Sequence, residues 1–471
     1  MSALRLPPCA AILLLAQTVA AAEPSPFAPY RAIADRIIAA SKADSGAYDK
    51  LVALCDDIGH RLSGSAQLSQ AIDWSQAVMK ADGLHNVRAE AVQVPKWVRG
   101  EESLELLQPR ELKLSMLGLG NSVGTPAQGI TAEVVVVKDE AELAALGEQV
   151  RGKIVLFNNR MAKWTEEKGS QYGHAVRFRG GGADLAAKQG AVAVLVRSVT
   201  ARSLSSPHTG ALHYSGPVKL PAAAITVEHA EMLSRFSARG IKIQVKLAMQ
   251  AHMDGLAPSA NVIGELRGRE KPDEIVIVSG HLDSWDVGQG AHDDGAGVVC
   301  AMQALAMLQK MGLQPRRTIR VVLWTNEENG LAGAKQYVVD HRAEMAKHVA
   351  AIEADAGAFR PTGMGIAMKE KEREQRAEKQ LSQLVQLWNI FGKQTVVRDA
   401  AGADVGQMQP FGVPTMELLV HNTKYFDYHH TQADTVDKVK PADLQADTAA
   451  LAIAAYVLAE MPGRLDDMPS K

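Results

Sequence analysis

The feature that most restricts the fold lies in the second half of the chain, where short unbroken apolar runs alternate with helix-patterned segments. Ile275 to Val278 is apolar at every position, as in a parallel strand buried on both faces. Gly297 to Leu313 then reads as a helix, Ile319 to Trp324 as a strand, and Leu331 to His341 as a helix. Val349 to Ala354 and Pro414 to Val420 are further strands, with a charged helix from about Lys369 to Asn389 between them. A last helix runs from Pro441, a good first-turn residue, to Met461. Alternation at these lengths predicts an α/β fold on a doubly wound, mostly parallel sheet.

Upstream, Pro29 to Asp56 and Ser65 to Asp82 carry helical periodicity, and Val87 to Val94 alternates like a strand. The texture changes near Gly120. Apolar runs at Ile130 to Val137, Lys153 to Phe157, Ala191 to Val196, Ile225 to Val227 and Ile241 to Leu247 form a small α/β unit without clustered carboxylates. The expected organisation is an export signal at 1–22 and a first part of the main domain at 23–119. An inserted accessory domain at 120–250 and the rest of the main domain at 251–471 complete it.

The signal rests on Arg5, an apolar stretch from Ala10 to Ala16 with Val19, and the small-residue site Ala20-Ala21-Ala22. Cleavage there predicts an exported protein. No Asn begins an Asn-x-Ser/Thr acceptor, which points to a bacterial periplasm. No other apolar stretch reaches the about 20 residues a membrane helix needs, so no membrane partner is expected. A net charge of -2 and 5% aromatic residues give no footprint for nucleic acid. Cys9 falls in the signal; Cys55 and Cys300 sit among apolar residues and read as buried free thiols.

Two glycine clusters are decoys. Gly118-Leu119-Gly120-Asn121-Ser122-Val123-Gly124 has its third glycine one place too late for a dinucleotide fingerprint, and the Gly180 triplet lacks the ending of a phosphate loop.

The residues just beyond the strand ends carry the chemistry, because ligands of doubly wound sheets collect there. His281 and Asp283 follow one strand, Glu327 and Glu328 another, and Asp355 a third. A glycine-rich loop brings Asp293 and Asp294, and a late loop brings His429 and His430. Singly, each has an ordinary explanation: a polar loop residue, a helix cap, or acids facing a helix dipole. Converging at one edge, they would repel one another without a cation. Imidazoles and carboxylates without thiolates suit zinc in an open catalytic site. The count fits two zinc ions, one on His281 and Asp355, the other on Glu328 and His430, with Asp293 bridging. Asp283 is expected to hold the second ring nitrogen of His281. Glu327 is left free beside a metal-held water, where a general base belongs.

Ser279 through Gly295, together with Trp324-Thr325-Asn326-Glu327-Glu328, Glu353-Ala354-Asp355-Ala356-Gly357 and His429-His430-Thr431-Gln432-Ala433-Asp434-Thr435, resembles the co-catalytic di-zinc aminopeptidase/glutamate carboxypeptidase family. Gly59 to Ser65, Arg99 to Ser103 and Ser206 to Gly210 extend the likeness over nearly the whole mature chain, including an insert similar to a protease-associated domain. The resemblance implies metal ligands at His281, Asp293, Glu328, Asp355 and His430, with His430 rather than His429 because it directly precedes Thr431, and a base at Glu327. It further implies two zinc ions, release of amino acids from dipeptides and short peptides with free termini, and a homodimer.

The rival within enzymes is an aminopeptidase that trims longer peptides on the same metal pair. Asp404, His421, Asn422, Tyr425 and Tyr428 are the candidates for lining the pocket that would distinguish them. A binding protein without catalysis, and purely structural metals, are the readings from other classes.

Overall fold

The computed structural model describes residues 25–202 and 204–467, so the signal expected at 1–22 lies outside the described residues. Two mixed eight-stranded sheets organise the chain.

The main sheet is parallel at its centre, where Arg317–Trp324, Lys271–His281, His348–Glu353 and Thr415–Val420 lie side by side in that order. Strands paired on both sides and covered on both faces have no solvated row of side chains, which is why these strands are mostly apolar. The edges depart from the parallel pattern. His252–Leu266 and His85–Val98 add antiparallel at one side; Pro361–Ala367 adds antiparallel at the other, followed by Thr395–Arg398 in parallel. Periodicity in the sequence under-reads the first edge. His85–Val98 and His252–Leu266 form a ribbon whose far end leaves the body, with Met253 and Leu256 exposed, so its pattern there has no buried face to record.

Helices pack on the faces. Pro441–Glu460 is long and apolar enough to cross a membrane, yet it is the core helix of the domain. It touches Ala296–Lys310 and Arg31–Lys42 and is apolar on every side because it is buried on every side. Asp294 starts Ala296–Lys310 by accepting from the Gly297 N–H at 3.0 Å, and its other oxygen accepts from the His281 N–H at 3.0 Å. One acid therefore ties a helix start to a strand end. Cys55 and Cys300 are buried and unpaired.

The second sheet runs Leu112–Leu114, Glu102–Gln108, Gln244–Met249, Ile130–Val137, Ile154–Phe157, Ala193–Arg197, Ala222–Ile225, Met116–Gly118. It takes in three short strands upstream of residue 120, where the texture change in sequence had put the edge of the insert. Alternating Leu104 and Leu106 face its core and bind that hairpin to the insert. The two units are clasped at several places, one of them around Trp285 and Arg99. Trp285 packs edge-on against Trp97 of the main sheet's edge strand with centroids 6.3 Å apart, and its far side reaches the second unit. It fills the space at Gly120, where a Cβ would come within 1.9 Å of the indole. Arg99 grips the Asp286 carboxylate with two nitrogens, at 2.8 and 2.5 Å, and donates to the Gly118 carbonyl at 2.6 Å.

Candidate metal centre

The strand ends bring the expected cluster together. His281 is the last residue of its strand, and its Nε2 lies 3.3 Å from Asp293 Oδ1 and 3.4 Å from Asp355 Oδ1. His430 Nε2 lies 3.1 Å from Asp293 Oδ2 and 3.0 Å from Glu328 Oε2. The two oxygens of Asp293 thus face two different histidines, and all five residues meet at one edge of the sheet. His281 Nε2, Asp293 Oδ2, Glu328 Oε1 and Asp355 Oδ1 are buried without a hydrogen-bond partner. Orphaned polar atoms of this kind cost free energy in a folded protein unless something satisfies them. Nitrogen and carboxylate donors converging at these distances fit divalent cations.

His429 also comes close, with Nε2 3.7 Å from Asp293 Oδ2, and its ring stacks on that of His430 at 3.5 Å. It reaches no second carboxylate, whereas His430 touches both Asp293 and Glu328. Burial and the adjacent His430 charge hold its pKa well below the ordinary histidine value.

The backbone fixes both ligand rings. His281 Nδ1 meets the Asp283 carbonyl at 2.9 Å, and His430 Nδ1 meets the Thr209 carbonyl at 3.2 Å. A carbonyl only accepts, so each ring carries a proton on Nδ1 and turns Nε2 to the cluster, the nitrogen that would lose its proton to hold a metal. This corrects the part expected of the Asp283 side chain. Its carboxylate is 3.9 Å from His281 Nδ1 and instead receives the backbone N–H groups of Glu327 at 3.0 Å and Glu328 at 3.4 Å. Asp283 therefore shapes the loop that presents the expected base and one ligand. Asp434 does the same for the glycine-rich loop, accepting from the N–H groups of His292 at 2.7 Å and Asp293 at 3.1 Å. Fully buried Arg61 donates to the carbonyls of Leu282, Gly59, Gln289 and Gly290. His292, stacked on Phe359 at 4.7 Å, stays out of the cluster.

The charges interlock. Burial works to lower the His430 pKa, but the Glu328 and Asp293 carboxylates outweigh it and raise it to about 9. Burial, with Asp293 close by, pushes Glu328 up to about 7. Glu327 is raised well above an ordinary carboxyl, first by burial and then by Asp355 and Glu328, against the pull of His281.

A cavity of about 800 Å³ opens over the cluster, with Glu327, Asp355, Glu417 and Tyr425 on the main-domain wall and Tyr172 and Arg179 on the insert wall. Arg179 went unnoticed in sequence. It is 9% exposed, its Nη1 sits 3.4 Å from His430 Nδ1, and no carboxylate among the described residues pairs with it. Of the pocket candidates, Asn422 and Tyr425 line this cavity. The other three do not. Asp404 is wholly buried, with its N–H on Glu353; His421 packs on Trp164 at 5.2 Å; Tyr428 stacks on His292 at 5.5 Å.

Residues 261–456 match Peptidase family M28, and residues 130–233 match the PA domain. Carboxypeptidase Q of Xenopus laevis is 44% identical over 89% of this chain and 87% of its own length; that of Homo sapiens is 43% identical over 89% and 86%. A Peptidase M28 precursor from Shewanella amazonensis superposes with a TM-score of 0.87 at 34% identity, covering 94% of this chain and 99% of that one. The chain thus belongs to Peptidase family M28, as a carboxypeptidase Q-like metallo-exopeptidase whose candidate co-catalytic metal ligands are present.

Proposed function

We propose that this exopeptidase hydrolyses dipeptides and very short peptides with free termini. His281 and Asp355 would hold one zinc ion, Glu328 and His430 the other, and Asp293 would bridge them. Bound there, two divalent cations supply Lewis-acid polarisation of the scissile carbonyl and make water a stronger acid. Glu327 stands free at the same wall to take the proton of the attacking water and hand it to the departing amine, and its raised pKa suits both halves of that task.

Arg179 carries the choice of substrate class. A buried guanidinium without a carboxylate partner is costly, and it lies against a candidate metal ligand. In a dipeptide the free carboxylate is one residue from the scissile bond, close enough to pair with it. In a longer peptide trimmed from its amino end, that position holds a neutral amide. Amidating the C-terminus of a dipeptide is therefore expected to lower kcat/KM about tenfold to a hundredfold, the range for a lost hydrogen bond to a charge. Equal turnover of acid and amide would remove Arg179 from this role.

One observation favours the rival that trims longer peptides. A second cleft of about 330 Å³, lined by Trp164, Thr200 and Arg202, shares Ser170, Asn422 and Phe426 with the main cavity. Tetrapeptides cleaved faster than dipeptides would support that reading. Export through a cleaved signal at 1–22 and assembly as a homodimer belong to the same proposal. N-terminal sequencing of exported material and sedimentation test them.

A further inference from the structure

The cavity has a second unpaired charge. Glu417 lies in the middle of Thr415–Val420, directly beside Glu353 in the parallel register and beside Gly365 in the antiparallel one. Gly365 has no Cβ where the Glu417 stem runs; an added Cβ would come within 2.7 Å of Glu417 Cγ. The carboxylate is thus seated against the sheet and delivered to the cavity wall. Among the described residues, no hydrogen bond or ion pair reaches it. It does not belong to either group of side chains close enough to share a metal ion. The charged neighbour that acts on it is Asp355, two residues beyond Glu353 on the adjacent chain segment.

We infer that Glu417 binds the α-ammonium group of the substrate and so makes the enzyme selective for a free amino terminus. This rests on the dipeptide reading above. The α-nitrogen is two covalent bonds from the scissile carbonyl carbon, a separation of roughly 2.5 Å. Whatever receives the ammonium must therefore adjoin the metal ligands themselves. Glu417 meets that condition next to Asp355, whereas Arg179 lies next to His430. A zwitterionic dipeptide would lie with its positive end toward Glu417 and its negative end toward Arg179.

The test compares wild type with Glu417→Gln, which keeps shape and loses charge, and with Glu417→Asp. Substrates are alanyl-alanine, its N-acetyl form and lysyl-alanine; a phosphinic alanyl-alanine isostere, free and N-acetylated, serves for binding by calorimetry. For Glu417→Gln the expected result is two retained metal ions and an approximately unchanged kcat. KM for alanyl-alanine should rise about tenfold to a hundredfold, with free and acetylated isosteres then binding alike. Glu417→Asp should recover part of the preference for the free amine. An unchanged free-to-acetyl ratio overturns the inference. So does a loss confined to lysyl-alanine, which would assign Glu417 to a side-chain pocket, and so does loss of metal. Wild-type failure on every dipeptide, by contrast, would strike the dipeptide reading itself.

Discussion

The two sheets of this protein are close in plan and opposite in chemistry. Each has eight strands with four parallel ones in the middle, and each points the ends of those strands toward loops. In the main sheet those ends release His281, Glu327, Glu328 and Asp355 into one cluster. In the insert they release Asn158 and Arg197, which hydrogen-bond to each other at 3.0 Å, with Arg197 also paired to Glu231. These two side chains are taken up by one another and by Glu231. The same architecture therefore carries a reaction centre in one case and a satisfied surface in the other, because function is set by what is placed on the strand ends. What the insert contributes to the cavity comes from elsewhere: two successive helices, Tyr172–Ala175 with Tyr172 and Arg177–Ala187 with Arg179, and the loop holding Thr209.

The largest effect should come from the main sheet. Glu327→Gln is expected to lower kcat by about a hundredfold to ten-thousandfold with metal content unchanged, measured by steady-state kinetics and elemental analysis. Normal turnover would mean that the base lies elsewhere. Next in size is the clasp. Trp285→Ala removes a buried indole that packs on Trp97 and Gly120, and should cost about 3–5 kcal/mol by denaturant unfolding. If the two units respond independently, the transition should also separate into two.

Arg179→Lys measures how much the insert gives to substrate choice. A lysine keeps the charge but loses the planar fork, so KM for dipeptides should rise about tenfold while kcat moves little. An unchanged KM would leave the insert a mere cover. The smallest effect is on the metal-free protein. His430 and Glu328 have folded pKa values of about 9 and about 7, both above their ordinary values. The folded state binds more protons than the unfolded one between those ordinary and raised values, so stability falls as pH rises from about 4.5 to 7 through Glu328 and from about 6.5 to 9 through His430. Thermal melts of the metal-free protein should show that decline, and adding zinc should abolish it with release of protons.

Most of the cluster was legible in sequence because His281, Glu327, Glu328 and Asp355 follow runs that read as inner strands, whose ends share one edge, while Asp293 and His430 come in on loops beside them. Asp283 shows the limit. Spacing placed it near His281 correctly, but only the folded loop reveals that its carbonyl, not its carboxylate, meets the ring. Arg179 and Glu417 were hidden for different reasons. Arg179 looked like one more charge among Arg177 and the glycines, and its worth depends on lacking a partner, a property that no spacing records. Glu417 sits inside an apolar strand, where a single acid reads as an irregularity. Asp404 failed as a pocket residue because a loop position says nothing about depth. The antiparallel edges were read only in part: alternation marks Val87 to Val94, but its partner His252–Leu266 runs out beyond the body, where no buried face leaves a pattern.

The hydrogen bond between His430 and Thr209 has a consequence for the shape of this enzyme's history. A side chain of the main domain is aimed by a backbone oxygen of the insert, so the accessory unit is a component of the coordination geometry and not a detachable lid. Excising residues between the two arms of the clasp would remove the Nδ1 anchor and leave that imidazole oriented only by Asp293, Glu328 and its stack on His429. Any ancestor that lacked the insert must have steered that ring by other means.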